Sequence, residues 1–186
     1  MNLNSILELD ARLSGQMRVA EKPGALRAIS VFFAHSGDSW FWAIGLFAIW
    51  ISGDSSWKEW AVLQFAGISL LAAMVLVIKF RVRRRRPEGE WGRIYRFTDP
   101  HSFPSGHAAR AFLIATIATA LGPTWLAIAL WIWAPVVALA RVAMGVHYLS
   151  DIVAGALFGI LIALIGLQFY TPLFDWVFKW LGFALW

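Results

Sequence analysis

Three short runs hold most of the polar chemistry of this chain: "KFRVRRRRP" (79–87), "PSGH" (104–107) and "RVAMGVHYLSD" (141–151). Lys79, Arg86 and Arg141 supply fixed positive charge, and the planar fork of arginine matches the oxygens of a phosphate. Pro104 suits the first position of a helix, where its missing N–H costs nothing. The N–H groups of Ser105, Gly106 and His107 would then point outward at a helix start, where anions bind readily. Gly106 lets the backbone come close to a ligand. His147 and Asp151 are four apart, the spacing that puts two side chains on one helical face. A carboxylate on one ring nitrogen fixes the tautomer and leaves the other nitrogen free to attack. His107 is a second imidazole on a different helix, available as a general acid. A nucleophile with an orienter, an acid and an anion cradle is a set suited to phosphoryl transfer.

The elements that must position these runs are membrane helices. Of the 186 residues 60% are hydrophobic and 15% charged, with a mean hydropathy of +0.65; soluble domains carry about 25% charged residues. Residues 60–78, 111–140 and 152–174 are free of charge, and a bilayer core needs roughly 20 mostly apolar residues per helix. The expected fold is therefore an all-α polytopic bundle with five to six transmembrane helices, in one membrane-embedded domain over residues 1–186. The absence of cysteine excludes disulfides and thiolate metal sites in this chain.

The first crossing is expected over Ser39–Ser52, with residues 25–33 either continuing it or forming a separate oblique helix. A second runs from Trp57 to about Phe80 and a third from Pro104 to Leu121. A fourth covers Thr124 to about Val146, with Pro135 inside, and a fifth runs from Ser150 or Asp151 to about Tyr170. Residues 1–37 read as an N-terminal interfacial segment rather than a cleaved leader, and 171–186 as a C-terminal interfacial helix or short sixth element. Segment 79–151 carries the motifs. The second and third helices flank one polar loop and the fourth and fifth flank another, so both loops lie on the same side of the membrane.

The pattern K-x6-R-P, then P-S-G-H, then R-x5-H-x3-D resembles the type 2 phosphatidic acid phosphatase superfamily, in its small bacterial membrane branch. The resemblance covers Lys79 to Asp151. It implies a lipid phosphate or diphosphate phosphatase that needs neither metal nor cofactor. Lys79, Arg86 and Arg141 would hold the phosphate, assisted by Ser105 and the backbone of Gly106. His147 would become the phosphohistidine, Asp151 would orient it, and His107 would protonate the leaving oxygen. Implied substrates are a polyprenyl (undecaprenyl) diphosphate, phosphatidic acid or phosphatidylglycerol phosphate. The partners are thus a lipid phosphate and membrane lipids, not nucleic acid. One departure stands out: the family's third motif usually opens Ser-Arg, and here it is Ala140-Arg141. Two rival readings use the same residues, a lipid phosphotransferase and an anion channel or transporter; the latter lacks the expected broken-helix repeats.

Other polar residues have plainer readings. Arg83, Arg84 and Arg85 suit a juxtamembrane anchor for anionic lipid. His35 and Asp38 suit capping or solvation of the first crossing, and Asp99 and His101 lie outside the motifs. Tyr148 reads as packing. Fourteen of the sixteen Lys and Arg residues fall on the motif side, which by the positive-inside rule argues for a cytoplasmic site. The resemblance implies the periplasmic face of a bacterial inner membrane.

Overall fold

The computed structural model describes residues 2–181. Among the described residues eight helices follow one another: α1 (Leu3–Gln16), α2 (Ala25–Ser36), α3 (Ser39–Ser52), α4 (Ser55–Val82), α5 (Glu90–Thr98), α6 (Gly106–Leu121), α7 (Thr124–Ala143) and α8 (Leu149–Leu181). Among the described residues the only β pairing is an isolated bridge between Arg85 and His101. By length and composition α4, α7 and α8 can each cross a membrane; α3 and α6 are apolar but shorter, at 14 and 16 residues. Large apolar side chains cover the outward faces, among them Phe47 on α3, Val77 on α4, Ile132 on α7 and Leu157 on α8. Such a surface is stable against lipid, not water.

Helix α6 is the centre of the bundle, packed against α4, α7 and α8. Its small residues Ala108, Ala109, Ala111 and Ala115 are fully buried. Opposite them on α8 stand Gly155 and Gly159, four apart. A Cβ on Gly155 would meet the Ser105 carbonyl oxygen at 2.5 Å, and one on Gly159 would run into the Ala109 backbone. Small residues on both sides let the two helices approach closely, as membrane helices do when packing rather than hydrophobicity drives association. This contact holds the second motif against the third, since the Ser105 N–H donates to the Asp151 carbonyl at 3.0 Å.

Several boundaries differ from the sequence reading. Of the two alternatives for residues 25–33 the separate helix holds, and α2 carries it on to Ser36. Pro104 is not the first helical residue: Ser105 is the N-cap of α6, accepting from the Ala108 N–H at 3.4 Å, and Pro104 precedes it. The Ser105 N–H, expected to face a ligand, is spent on Asp151. The polar stretch after α4 contains α5, whose Trp91 and Tyr95, four apart, pack into a small cluster with Met144 and Val146. The expected break near Tyr170 is absent. Helix α8 runs on through Pro172, a residue that membrane helices tolerate because neighbouring groups can satisfy the freed carbonyl. Residues 182–186 of the expected C-terminal helix lie outside the described residues.

Candidate active site

The three motifs meet because the chain leaves each helix in a controlled way. Helix α4 ends at Arg83, in the left-handed region at φ 53°, with its N–H on the Lys79 carbonyl at 2.8 Å. The chain then extends, pairing Arg85 with His101, while the Ser102 N–H donates to the Arg84 carbonyl at 2.9 Å. Extended backbone sends alternate side chains to opposite sides. Accordingly Arg83 and Arg85 are exposed, whereas Arg84 and Arg86 turn inward. After α7, Gly145 at φ 69° turns the chain back, a conformation glycine adopts without strain. Val146 and His147 follow before α8 begins.

His147 is 1% exposed. Its Nδ1 lies 3.4 Å from the Asp151 carboxylate, and its Nε2 faces Arg86 Nη1 at 3.2 Å. A guanidinium can only donate, so this contact presents the Nε2 lone pair to the cationic cluster and leaves the proton on Nδ1, toward Asp151. Burial, reinforced by the charges of Arg86, Arg141 and Lys79, pushes the imidazole below its ordinary value. Asp151 also accepts from the Tyr148 N–H at 2.9 Å and from Arg84 Nη1 at 2.7 Å.

Arg86 is the hub. It donates to the Asp99 carbonyl at 2.7 Å, the Asp99 carboxylate at 2.8 Å and the Val146 carbonyl at 2.8 Å. Lys79 binds the same Asp99 carboxylate and the His101 carbonyl, the latter at 3.1 Å. Arg141, fully buried, donates to the Tyr95 hydroxyl at 3.1 Å and stacks over its ring. The Arg141 Nε has no hydrogen-bond partner, a costly state for a buried charged group unless a ligand completes it. A cleft of about 600 Å³ reaches this cluster. Lys79, Asp99, Gly106 and His107 line its polar end, and Ile68, Leu71, Val75 and Leu76 of α4 line an apolar wall.

All eight residues expected to form the site therefore gather at one end of the bundle. Lys79, Gly106 and His107 face the cleft. Arg86, Arg141, His147 and Asp151 are buried, Arg86 against Asp99, and Ser105 serves as a cap. Six further residues belong to the network. Asp99 bridges Lys79 and Arg86. Tyr95 carries Arg141. Asp38 binds His107 Nε2 at 2.7 Å. Arg84 ties Asp151 to Asp10, with 2.7 Å to each carboxylate. Asp10 in turn accepts from the Ser150 N–H at 3.0 Å, while Ser14 accepts from the Leu149 N–H at 2.9 Å. Helix α1 thus satisfies two open N–H groups at the start of α8.

Arg84 is therefore not a lipid anchor, and Asp38 makes no side-chain cap on α3. The four-residue spacings of Trp91 with Tyr95 and of Asp10 with Ser14 were the available signals, whereas four consecutive arginines carry none that singles out Arg84. Among the described residues no group of three or more His, Asp or Glu side chains converges as a metal site would.

The chain is similar to known membrane phosphatases. The PAP2 superfamily profile matches residues 60–175. The decaprenylphosphoryl-5-phosphoribose phosphatase of Mycolicibacterium smegmatis is 34% identical over 75% of this chain and 76% of its own. A probable lipid phosphate phosphatase beta of Arabidopsis thaliana is 28% identical over 90% of this chain and 91% of its own. The lipid A 1-phosphatase of Porphyromonas gingivalis is 32% identical over 61% of this chain, which spans 24% of that protein's length. Among solved structures, Aquifex aeolicus LpxE superposes with a TM-score of 0.67 at 26% identity, over 83% of this chain and 94% of that one. The fold is also that of a transmembrane PAP2-type phosphatidylglycerolphosphate phosphatase from Bacillus subtilis, with a TM-score of 0.70 at 22% identity, over 92% of this chain and 89% of that one. With its motifs assembled at one end of a bundle of apolar helices, the chain belongs to the PAP2 superfamily, as a membrane-embedded lipid phosphatase.

Proposed function

We propose that the protein hydrolyses a phosphomonoester or diphosphate on a long-chain lipid through a phosphohistidine on His147. The observation that carries this reading is the contact of His147 Nε2 with Arg86, inside a cluster where Arg141 keeps a buried, unmatched donor. Lys79, Arg86 and Arg141 hold the phosphate, with help from Ser105 and the backbone of Gly106. They stabilise the charge on its equatorial oxygens as the transition state develops. His147 Nε2 attacks phosphorus while Asp151 holds Nδ1–H. His107 gives a proton to the leaving oxygen, and water then releases phosphate from His147. The groups gathered around the nucleophile are cationic, which disfavours a divalent metal and supports a metal-independent reaction.

A lipid substrate is supported by the cleft, which joins a small charged end to the apolar wall of α4. That shape suits a compact phosphate head on a long tail, as in a polyprenyl diphosphate such as the undecaprenyl carrier, in phosphatidic acid or in phosphatidylglycerol phosphate. The site is taken to face the periplasm of a bacterial inner membrane. In support, Lys79, Arg86 and Arg141 are assigned to phosphate in this reading and Arg84 is tied to Asp10 and Asp151, so these cations have a role in the site apart from setting topology. The chain has no cysteine, so a single Glu88→Cys variant labelled in intact cells with an impermeant maleimide decides the orientation. The activity is tested by phosphate release from these lipids by detergent-purified protein, with and without EDTA. Release from at least one of them, undiminished by EDTA, is expected. No release from any, or loss in EDTA restored by Mg²⁺, rejects the reading.

A further inference from the structure

The loop between α2 and α3, "HSGDS", is held against α6 by an arginine from the stretch that contains the second motif. Arg110 lies one turn beyond His107 on α6 and is itself buried. Its Nε donates to the Gly37 carbonyl at 2.7 Å, its Nη2 reaches the same oxygen, and its Nη1 donates to Ser39 Oγ at 2.6 Å. The residue between those two contacts is Asp38, and its carboxylate meets His107 Nε2 at 2.7 Å. The seating is close: a Cβ on Gly37 would lie 2.9 Å from Val137 Cγ1 and 3.4 Å from His107 Cδ2. Two indole N–H groups fix the preceding residue, Trp42 on the Ser36 carbonyl at 3.1 Å and Trp133 on the Ser36 hydroxyl at 2.9 Å.

Asp38 occupies the N-cap position of α3, where an aspartate ordinarily accepts from the first turn of the helix. Its side chain makes no such bond. The carboxylate is given to His107 instead, and the surrounding contacts keep it there.

We propose that Asp38 is the positioning residue of the general acid, a carboxylate that fixes the His107 ring and stabilises its protonated form. The inference rests on the reading of His107 as the acid. With Nε2–H held by Asp38, Nδ1–H is the proton that reaches the leaving oxygen. In the first step the His147 Nε2–P bond forms and the P–O bond to the lipid breaks. The proton on His107 Nδ1 passes to the departing oxygen, and Asp38 remains ionised throughout. In the second step water oxygen bonds to phosphorus, the P–N bond breaks, and the water proton returns to His107 Nδ1. The chain thus carries two His–Asp pairs of opposite duty: Asp151 orients the nucleophile and Asp38 the acid.

The test compares a lipid phosphomonoester, whose alkoxide needs a proton to leave, with 4-nitrophenyl phosphate, whose phenolate needs it far less. General acid catalysis contributes about 10²–10⁴-fold. His107→Ala is expected to fall in that range on the lipid and much less on the aryl ester. Asp38→Ala should show the same selectivity with a smaller loss, about 10–100-fold on the lipid, carried in kcat rather than KM. The double variant should be no slower than His107→Ala alone, because the two residues act as one unit. Should Asp38→Ala fail to fold, Asp38→Asn keeps an oxygen for Nε2–H without the charge and should lose about 10-fold on the lipid. If His107→Ala discriminates between the substrates and the Asp38 variants do not, the role of Asp38 is overturned while the acid stands. If His107→Ala slows both substrates equally, the acid reading falls first, and this inference with it.

Discussion

Arg86 and Asp99 are joined twice, through the Asp99 carboxylate at 2.8 Å and its carbonyl at 2.7 Å. The same carboxylate binds Lys79. An anion thus sits between two of the three cations expected to hold phosphate. Asp99 lines the cleft beside Lys79 and Tyr95, and its side chain is 40% exposed, so it can swing away.

From this follows a prediction about Asp99→Asn. Removing the charge leaves Lys79 and Arg86 less neutralised, so a phosphate competes with a weaker resident. Inhibition by inorganic phosphate should tighten by about 3- to 10-fold, the size of a partly screened charge interaction, with kcat less affected. Phosphate inhibition curves on both proteins check this. Unchanged or weaker inhibition would mean that Asp99 organises the cations instead of competing for them.

Replacement of His147 should be the most damaging change in the chain. His147→Ala is expected to abolish phosphate release while the protein remains folded, since among the described residues no other imidazole contacts Arg86. Asp151→Asn should be severe but incomplete, because it weakens orientation of the ring without deleting it. Acid-labile labelling of the protein by a ³²P-lipid, present in the parent and absent in His147→Ala, is the direct readout.

The pH profile should carry the mark of the buried nucleophile. Burial and the neighbouring cations hold the His147 imidazole below its ordinary value, so its lone pair survives at acidities where a free imidazole, near pKa about 6.5, is protonated. Activity is therefore retained as pH falls past that value and is lost only lower, where the imidazole takes its proton. The acid limb of kcat/KM should lie below about 6.5, once the titration of the substrate phosphate, measured by ³¹P NMR, is subtracted. A limb at or above that value would contradict a buried cationic site around His147.

Asp10 links α1 to the catalytic end by accepting from Ser150 N–H, Ser150 Oγ and Arg84. Asp10→Ala opens the start of α8 and leaves Arg84 with Asp151 as its remaining carboxylate. Hydrogen bonds to charged groups contribute about 1.5–3 kcal/mol each, so stability should fall by about that amount. Thermal unfolding in detergent should show a lower Tm, and activity should fall with it. An unchanged Tm would show that α1 is not docked on α8.

The sequence by itself determined the class of the molecule and the chemistry of its motifs. Charge-free runs long enough to span a bilayer dictate helices, because only a structure that satisfies its own backbone survives in lipid. The His147–Asp151 spacing is local, and although His147 precedes α8, the turn that opens that helix brings its ring to the Asp151 carboxylate. Their neighbours were not legible for an equally physical reason. Residue type does not separate Arg84 and Arg86 from Arg83 and Arg85; the extended path after Arg83 does, by alternating their sides. Asp38 reads as a helix cap until Arg110, 72 positions away, draws its loop onto α6. Asp10 reads as one charge on an amphipathic helix until α1 meets the start of α8. Which carboxylate meets which cation is decided by helix–helix contacts such as Gly159 on Ala109, and such contacts depend on packing between segments distant in sequence. The motifs therefore name the reacting groups, and the tertiary structure assigns each its partner.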